Sequence, residues 1–395
     1  MINFLEDIWE GYWEWLHHQR LRMELLLIIP IVELAVRIWY HLDTRVYSSK
    51  RRILGVHNGD IANKSQRYAL LVLHSNFPLP VFTQNVIDAI RRSPLNLVIV
   101  SNVALRDEDR RMLLERSHLL IERVNLGRDF GGYRDGIEVA FEKFPDIERL
   151  VLLNDSLFYS EKGLDKLIAD LDGPHDFIGV TEVFEHHYHV QSYMLSFGKR
   201  ILQNKRFRDY WRKYRPISSR RWSIHKGEVK LTQVVVKAGF RPYVLYQGAQ
   251  LTEHFRRASD FEILSSLDLL PTRLRARLNK ELLRGKSLEH VLRVNMRNEG
   301  YQKWETNRFI KTIVANIARR NQIHIGGFLF RKYLGLPIMK RDLLFREVYM
   351  IDELYDLLTD FREPLRDEIM SDLRRGGTAE NLKGFRRLLY RHGSI

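Results

Sequence analysis

The sequence predicts an α/β protein with a mostly parallel sheet flanked by helices. Three observations carry this. Continuous apolar runs at 68–73, 95–100, 119–121 and 149–153 lack polar alternation, as strands buried on both faces require. Helix-spaced segments separate the first three runs at a repeat of about 25 residues, the rhythm of right-handed βαβ units. Polar residues close the runs at His74-Ser75-Asn76, Ser101-Asn102 and Asn154-Asp155-Ser156, where open α/β sheets place ligands.

The elements follow in order. Residues 1–47 are rich in aromatics and then apolar from 25 to 39, but Pro30, Glu33 and Arg37 interrupt the run. A span needs roughly 20 predominantly apolar residues. The segment instead reads as amphipathic helix on a bilayer surface, with packing on the protein or on a second subunit also open. Residues 48–67 are polar and basic, a linker or sheet edge. The first strand ends at His74, and Pro78 and Pro80 close it. Phe82, Val86, Ile87 and Ile90 make a helix of 81–92. A second strand (95–100), a charged helix (106–116) and a third strand (119–124) complete the repeat. Gly127, Gly131 and Gly132 among Asn125, Arg128 and Asp129 predict a loop. A helix over 137–144 leads to the strand that ends at Asn154.

A helix at 163–171 and a strand at 177–181 follow. Three histidines lie within 186–189, but no second cluster stands at zinc-ligand spacing, so a polar turn or substrate contact is expected. Residues 191–197 alternate as a strand does, and 199–214 form a basic helix. From 199 to 230 the chain has 12 Lys or Arg against Asp209 and Glu228. Glu228 opens a helix of 229–238, with Gly239 as its stop; helix stabilisation alone would explain a glutamate there. A late strand at 240–246 leads to His254. Beyond 261 the pattern predicts helices without strands.

Composition narrows the chemistry. The 395 residues give a net charge of +15, which favours an anionic partner: phosphorylated substrate, phospholipid surface or nucleic acid. No cysteine is present, which excludes disulfides, thiolate zinc sites and thiol nucleophiles. No Gly-x-Gly-x-x-Gly follows the first strand, and no Walker A sequence occurs. No helix-turn-helix, zinc-finger or RNP pattern supports nucleic-acid binding. On its own, Asn154-Asp155-Ser156 fits a turn as well as a ligand site.

Taken together, several stretches resemble the rhamnan synthesis protein F family. They are Asn125-Leu-Gly-Arg-Asp-Phe-Gly-Gly-Tyr133, Leu152-Leu-Asn-Asp-Ser-Leu-Phe-Tyr159, His189-Val-Gln-Ser-Tyr-Met-Leu-Ser-Phe197, Gly227-Glu228-Val, Ala238-Gly-Phe-Arg-Pro and Gly335-Leu-Pro-Ile-Met-Lys-Arg-Asp-Leu-Leu. The resemblance covers residues 68–344. It implies a GT-A-like catalytic domain at 68–260, with a helical region at 261–395 packed on it. It also implies transfer, expected to be inverting, of a sugar such as rhamnose from a nucleotide-sugar donor to a glycan or lipid-linked glycan. Such an enzyme works in the cytoplasm, peripheral to the inner face of the bacterial cytoplasmic membrane. Oligomerisation through residues 1–47 and no nucleic-acid partner are further expectations.

In that setting Asp155 stands where such folds carry Asp-x-Asp, flanked here by Asn and Ser. Asp155 and His254 are the expected ligands of Mg²⁺ or Mn²⁺, and Glu228 is the expected base. His74, Ser75, Ser101, Asn102, Asn125, Gly127, Arg128, Asp129, Asn154 and Ser156 are expected at the donor, and Glu182, His189, Gln191 and Tyr193 at the acceptor or sugar. The alternative is a non-catalytic glycan- or lipid-binding scaffold that kept this fold.

Overall fold

The computed structural model describes residues 52–61, 64–74, 77–185, 187–283, 299–359 and 361–392, together with residues 31, 34, 35, 38 and 42. Most of the amphipathic segment 1–47, and Ser75 and His186, lie outside the described residues. Its described members are helical, and Ile31, Leu34, Ile38 and Leu42 are all exposed.

An eight-stranded sheet organises the chain, in the order β1 (Ile53–Asn58), β4 (Leu119–Arg123), β3 (Asn96–Ser101), β2 (Arg67–Leu73), β5 (Arg149–Asn154), β10 (Met194–Gly198), β7 (Phe177–Gly179), β11 (Tyr243–Val244), and β8 (Glu182–Val183) pairs with β9 (His189–Val190) apart from it. The centre of the eight-stranded sheet is parallel: β4, β3, β2 and β5. Every residue of β3, β4 and β5 is buried, as the unbroken apolar runs require. The α/β class read from the sequence is therefore the observed one. The basic stretch taken as linker or edge supplies an edge strand, β1 (Ile53–Asn58), antiparallel to β4. β10 (Met194–Gly198) runs antiparallel between β5 and β7 (Phe177–Gly179), and β11 (Tyr243–Val244) pairs parallel with β7. The strand expected at 191–197 is β10, and all five of its residues are buried because side chains pack on both of its faces.

This topology sets one edge apart. β2, β3, β4 and β5 all end there, delivering residues 74, 102, 124–129 and 154–156. Met194 pairs with Leu153, so the chain entering β10 brings residues 189–193 to the same edge.

The helix α1 (Arg128–Lys143) corrects the reading of the glycines as loop. Gly131 and Gly132 are helical and buried. A Cβ on Gly132 would lie 2.6 Å from Val72, one on Gly136 2.6 Å from Leu70, and one on Gly131 1.9 Å from the Leu126 carbonyl. The glycines let the helix sit directly on β2. At its start Gly127 has φ +82° and Arg128 φ +55°, the left-handed region that a non-glycine residue rarely adopts. The strain thus falls at the sheet edge where the polar strand-end residues gather.

Two further corrections concern the second half. The basic helix 199–214 is two helices, broken where the Asn204 side chain accepts from the Arg206 N–H and caps the second one, α2 (Lys205–Lys213). The region beyond 261 is helical but not free of strands: β12 (Ile338–Lys340) pairs antiparallel with β6 (Leu157–Tyr159). One apolar core holds Leu71 and Leu153 of the sheet together with Ile313 and Phe330 of the C-terminal helices.

Candidate active site

The strand ends build an acidic half-site. Asp155 leaves β5 with its Oδ2 accepting the backbone N–H of His74 at 2.8 Å, which ties the ends of β5 and β2 together. Asn154 Nδ2 donates to Asp129 Oδ2 at 3.0 Å, and Asn154 Oδ1 accepts from the N–H (3.1 Å) and hydroxyl (2.6 Å) of Ser156. The triplet is thus a turn, and that turn also aims a second carboxylate. Burial raises the Asp129 carboxyl above the ordinary range, and Asp155 adds to this; Arg128, Lys340 and His74 oppose it without cancelling it.

Glu228 forms the facing half-site. It lies in a π-helical turn, residues Ser223–Val229, ahead of the α-helix Lys230–Lys237. The expectation that Glu228 opens an ordinary helix is corrected here; such turns re-aim side chains and recur at functional sites. Gly227 lets the turn descend on the Phe130 ring, which a Cβ would meet at 2.7 Å. Glu228 Oε1 accepts from the Ser192 hydroxyl at 2.6 Å, and Oε2 lies 3.6 Å from His189 Nε2. The His189 Nδ1 donates to the His187 carbonyl at 2.8 Å, which leaves Nε2 facing the glutamate. Burial pushes the Glu228 carboxyl up, but His189, Ser192 and Lys340 outweigh it and hold the group below its ordinary value. Burial pushes His189 down, and Glu228 with the His187 carbonyl more than reverses that.

Lys340 stands between the halves. β12 places its Nζ 3.4 Å from Ser156 Oγ and 4.6 Å from the centre of the Tyr193 ring. Its neighbour Arg341 donates to the Asp155 carbonyl at 2.8 Å and grips Asp372 with two bonds of 2.9 Å.

The other predicted residues divide. Asn125 is exposed, its Nδ2 3.5 Å from His74 Nδ1, and Gly127 N–H donates to Ser218 Oγ. Gln191 is buried, and its Oε1 has no hydrogen-bond partner among the described residues. The Tyr193 hydroxyl is engaged with Thr181 at 2.6 Å. Glu182 is raised by burial and partnered by Tyr188. Ser101 and Asn102 are turned inward: Ser101 Oγ donates to the Val103 carbonyl, and Asn102 Oδ1 accepts from buried Arg123. His254 is engaged elsewhere, 3.4 Å from Glu262 and packed on Tyr333. Among the described residues no group of three or more His, Asp or Glu could hold a metal ion. Sequence reading missed Ser192, Arg220, Lys340 and Arg341 as site residues; the late Met339-Lys340-Arg341 stretch was visible, but nothing local shows that it folds back onto Ser156.

The family model described as rhamnan synthesis protein F matches residues 97–335, more than half of the chain, and the chain belongs to that family. It is 35% identical over 179 residues to protein y4gN of Sinorhizobium fredii, covering 44% of this chain and 47% of that one. It is 37% identical over 88 residues to the virulence protein VirA of Vibrio anguillarum, covering 22% and 28%. The chain thus spans under half the length of these relatives. Among solved structures it is similar to a glycosyltransferase involved in glycosylation of the PBCV-1 major capsid (16% identity, 45% of this chain and 80% of that one, TM-score 0.29). It is also similar to the glycosyltransferase GlyE of Streptococcus pneumoniae TIGR4 (12%, 47% and 46%, TM-score 0.29).

Proposed function

We propose that this protein is a glycosyltransferase of cell-surface polysaccharide synthesis. It moves a sugar, with rhamnose the family's namesake, from a nucleotide-diphosphate donor to a growing glycan, with inversion at the transferred carbon. The observation that supports this best is the Glu228–His189–Ser192 group set against Asp129 and Asp155 at one sheet edge. Glu228 is the base. It is held ionised by its partners, and it takes the acceptor hydroxyl proton as the glycosidic bond forms. Ser192 and His189 fix the two carboxylate oxygens so that the base does not have to be oriented during reaction. Gln191 offers an unsatisfied buried acceptor for a sugar hydroxyl.

A divalent cation fits the acidic half-site. Two hard carboxylates, one raised by burial and then by its neighbour, suit Mg²⁺ or Mn²⁺, which completes its shell with water and substrate phosphates. Asp155 and Asp129 would hold it, and it would supply positive charge at the donor diphosphate. His254 is not needed for that set.

We also place the protein in the cytoplasm at the inner membrane face. Among the described residues no helix is long and apolar enough to cross a membrane. The support is the exposed row Ile31, Leu34, Ile38 and Leu42 at helical spacing.

Calorimetry with a nucleotide-sugar panel in Mg²⁺, Mn²⁺ or EDTA tests the reading. One donor should bind, and Asp155→Ala should weaken it. No binding and no donor hydrolysis by folded protein would favour the scaffold instead.

A further inference from the structure

Among the described residues, three cations at the site stand outside any ion pair: Lys340, Arg220 and Arg128. Lys340 reaches the Ser156 hydroxyl and the Tyr193 ring, but no carboxylate lies within ion-pair distance of it among the described residues. Its nearest acid in sequence terms, Asp342, is already taken by His324 at 3.0 Å and by Arg346 at 2.5 Å. Arg220 and Arg128 make no hydrogen bond or ion pair with a described side chain, and both lie within electrostatic reach of the same site. Arg220 follows Ser218 and Ser219; Ser218 Oγ holds the Gly127 N–H, so the Arg128 loop and the Arg220 turn are tied together. Just past β12, Arg341 is spent on Asp372 and the Asp155 carbonyl, while Lys340, the last residue of the strand, is left over.

A lysine withdrawn from water without an ion pair is destabilising unless something else satisfies it. Tyr193 gives it a ring face, which is weak compensation. The neighbouring cations make the arrangement less stable still, because burial and Arg220 both push the Lys340 ammonium down, although Asp342, Glu228 and Asp129 pull it up. An anion placed between Lys340, Arg220 and Arg128 removes all of these penalties together.

We infer that Lys340, supported by Arg220 and Arg128, is the catalytic cation for the leaving nucleoside diphosphate. This rests on the glycosyltransferase reading above. The bond between the sugar and the β-phosphate oxygen breaks, and its electron pair stays on that oxygen. The acceptor oxygen bonds to the sugar carbon, and its proton passes to Glu228. Lys340 keeps its own proton throughout and meets the charge that appears on the phosphate. Charge grows on that oxygen only as the bond breaks, so the ammonium binds the departing group more strongly than the intact donor. The contribution adds to that of any divalent cation on Asp155.

The test is calorimetry on the full chain with UDP, dTDP and GDP and with UDP-glucose, dTDP-rhamnose and GDP-mannose, each in Mg²⁺ and in EDTA. Lys340→Met should weaken the cognate nucleoside diphosphate at least tenfold in both media and the intact donor by clearly less. Lys340→Arg should restore most of the difference. The thermal midpoint of Lys340→Met should be unchanged or higher, which separates a lost charge from a damaged fold. If Lys340→Met binds the diphosphate within twofold of the parent, or loses donor and product equally, the inference is overturned. If the parent binds no nucleotide in either medium, the glycosyltransferase reading falls and this inference falls with it. If the parent binds the sugar nucleotide and Lys340→Met changes nothing, only Lys340 is refuted. If Lys340→Met is unfolded, Arg220→Gln must show the same preferential loss of product binding, and its failure to do so also overturns the inference.

Discussion

Arg123, buried, and Lys340, half-buried, are two cations at the same sheet edge, and they are treated in opposite ways. Arg123, 2% exposed, is saturated: Nε donates to Asp135 Oδ2 at 2.9 Å, one terminal nitrogen to Asn102 Oδ1 at 2.5 Å and the other to the Leu126 carbonyl at 2.7 Å. Asp135 is answered in turn by Arg52 at 3.3 Å and Arg134 at 2.9 Å. The planar guanidinium suits this, because its donors fan out to three fixed acceptors. Lys340 has one long hydroxyl contact and a ring. A buried charge whose partners are all internal serves the architecture, here pinning the 124–129 loop to the ends of β3 and β4. A charge left short of partners is available to a ligand.

The comparison can be broken by removing each cation. Arg123→Met leaves the buried Asp135 short of its main partner, and breaking such a pair costs about 3–5 kcal/mol of stability. Urea unfolding should show this loss for Arg123→Met and none for Lys340→Met. Equal losses would mean that both lysine and arginine are structural. Glu228→Gln sharpens the contrast on the acidic side. It keeps the shape and the Ser192 hydrogen bond but cannot take a proton, so turnover should fall by about a hundredfold or more. Donor affinity should hardly move, and the unfolding midpoint should fall only by what the pairing with His189 contributes. Full turnover in Glu228→Gln would remove it as base and make Glu182, the carboxylate expected at the acceptor, the next candidate.

How much of this was legible in the sequence depended on range. The parallel strands were readable because burial on both faces writes itself as uninterrupted Leu, Val and Ile. Asp155 and Asp129 were readable as candidates because strand ends and glycine-flanked polar residues are local signals. The purpose of the glycines was not. Gly132 and Gly136 are glycine because Val72 and Leu70 lie against them, a contact no local pattern reveals. Asn102 looked like a ligand residue for the same reason Asp155 did; only the fold shows that Arg123 takes it. Lys340 was visible as part of a stretch carrying the resemblance, but its place at the site was not. It is 184 residues from Ser156 in sequence, and β12 is three residues long, too short for its period to stand out among helices.

The smallest expected effect is the most diagnostic of how Glu228 is tuned. Burial alone would raise its carboxyl; His189 first, then Ser192 and Lys340, bring it below the ordinary value. Tyr133, Tyr193 and Tyr214 also face it, neutral across the working range because burial pushes each of them up. His189→Asn removes the facing imidazolium and leaves the rest, so the Glu228 carboxyl rises. The acid limb of kcat/KM, which reports the free base, should move to higher pH, with the plateau rate little changed. Stability must follow with the matching sign. The depressed Glu228 contributes above the ordinary glutamate value of about 4.3, and that contribution is lost as pH falls through its folded value. The raised His189 contributes below the ordinary histidine value of about 6.5, and that contribution is lost as pH rises through its folded value. The pair is therefore worth most between those limits. The urea midpoint of the parent should exceed that of His189→Asn by more near pH 5.5 than near pH 8. An acid limb that stays in place in the variant would mean that Glu228 is tuned by Ser192 and Lys340 without the histidine, and that His189 serves the sugar instead.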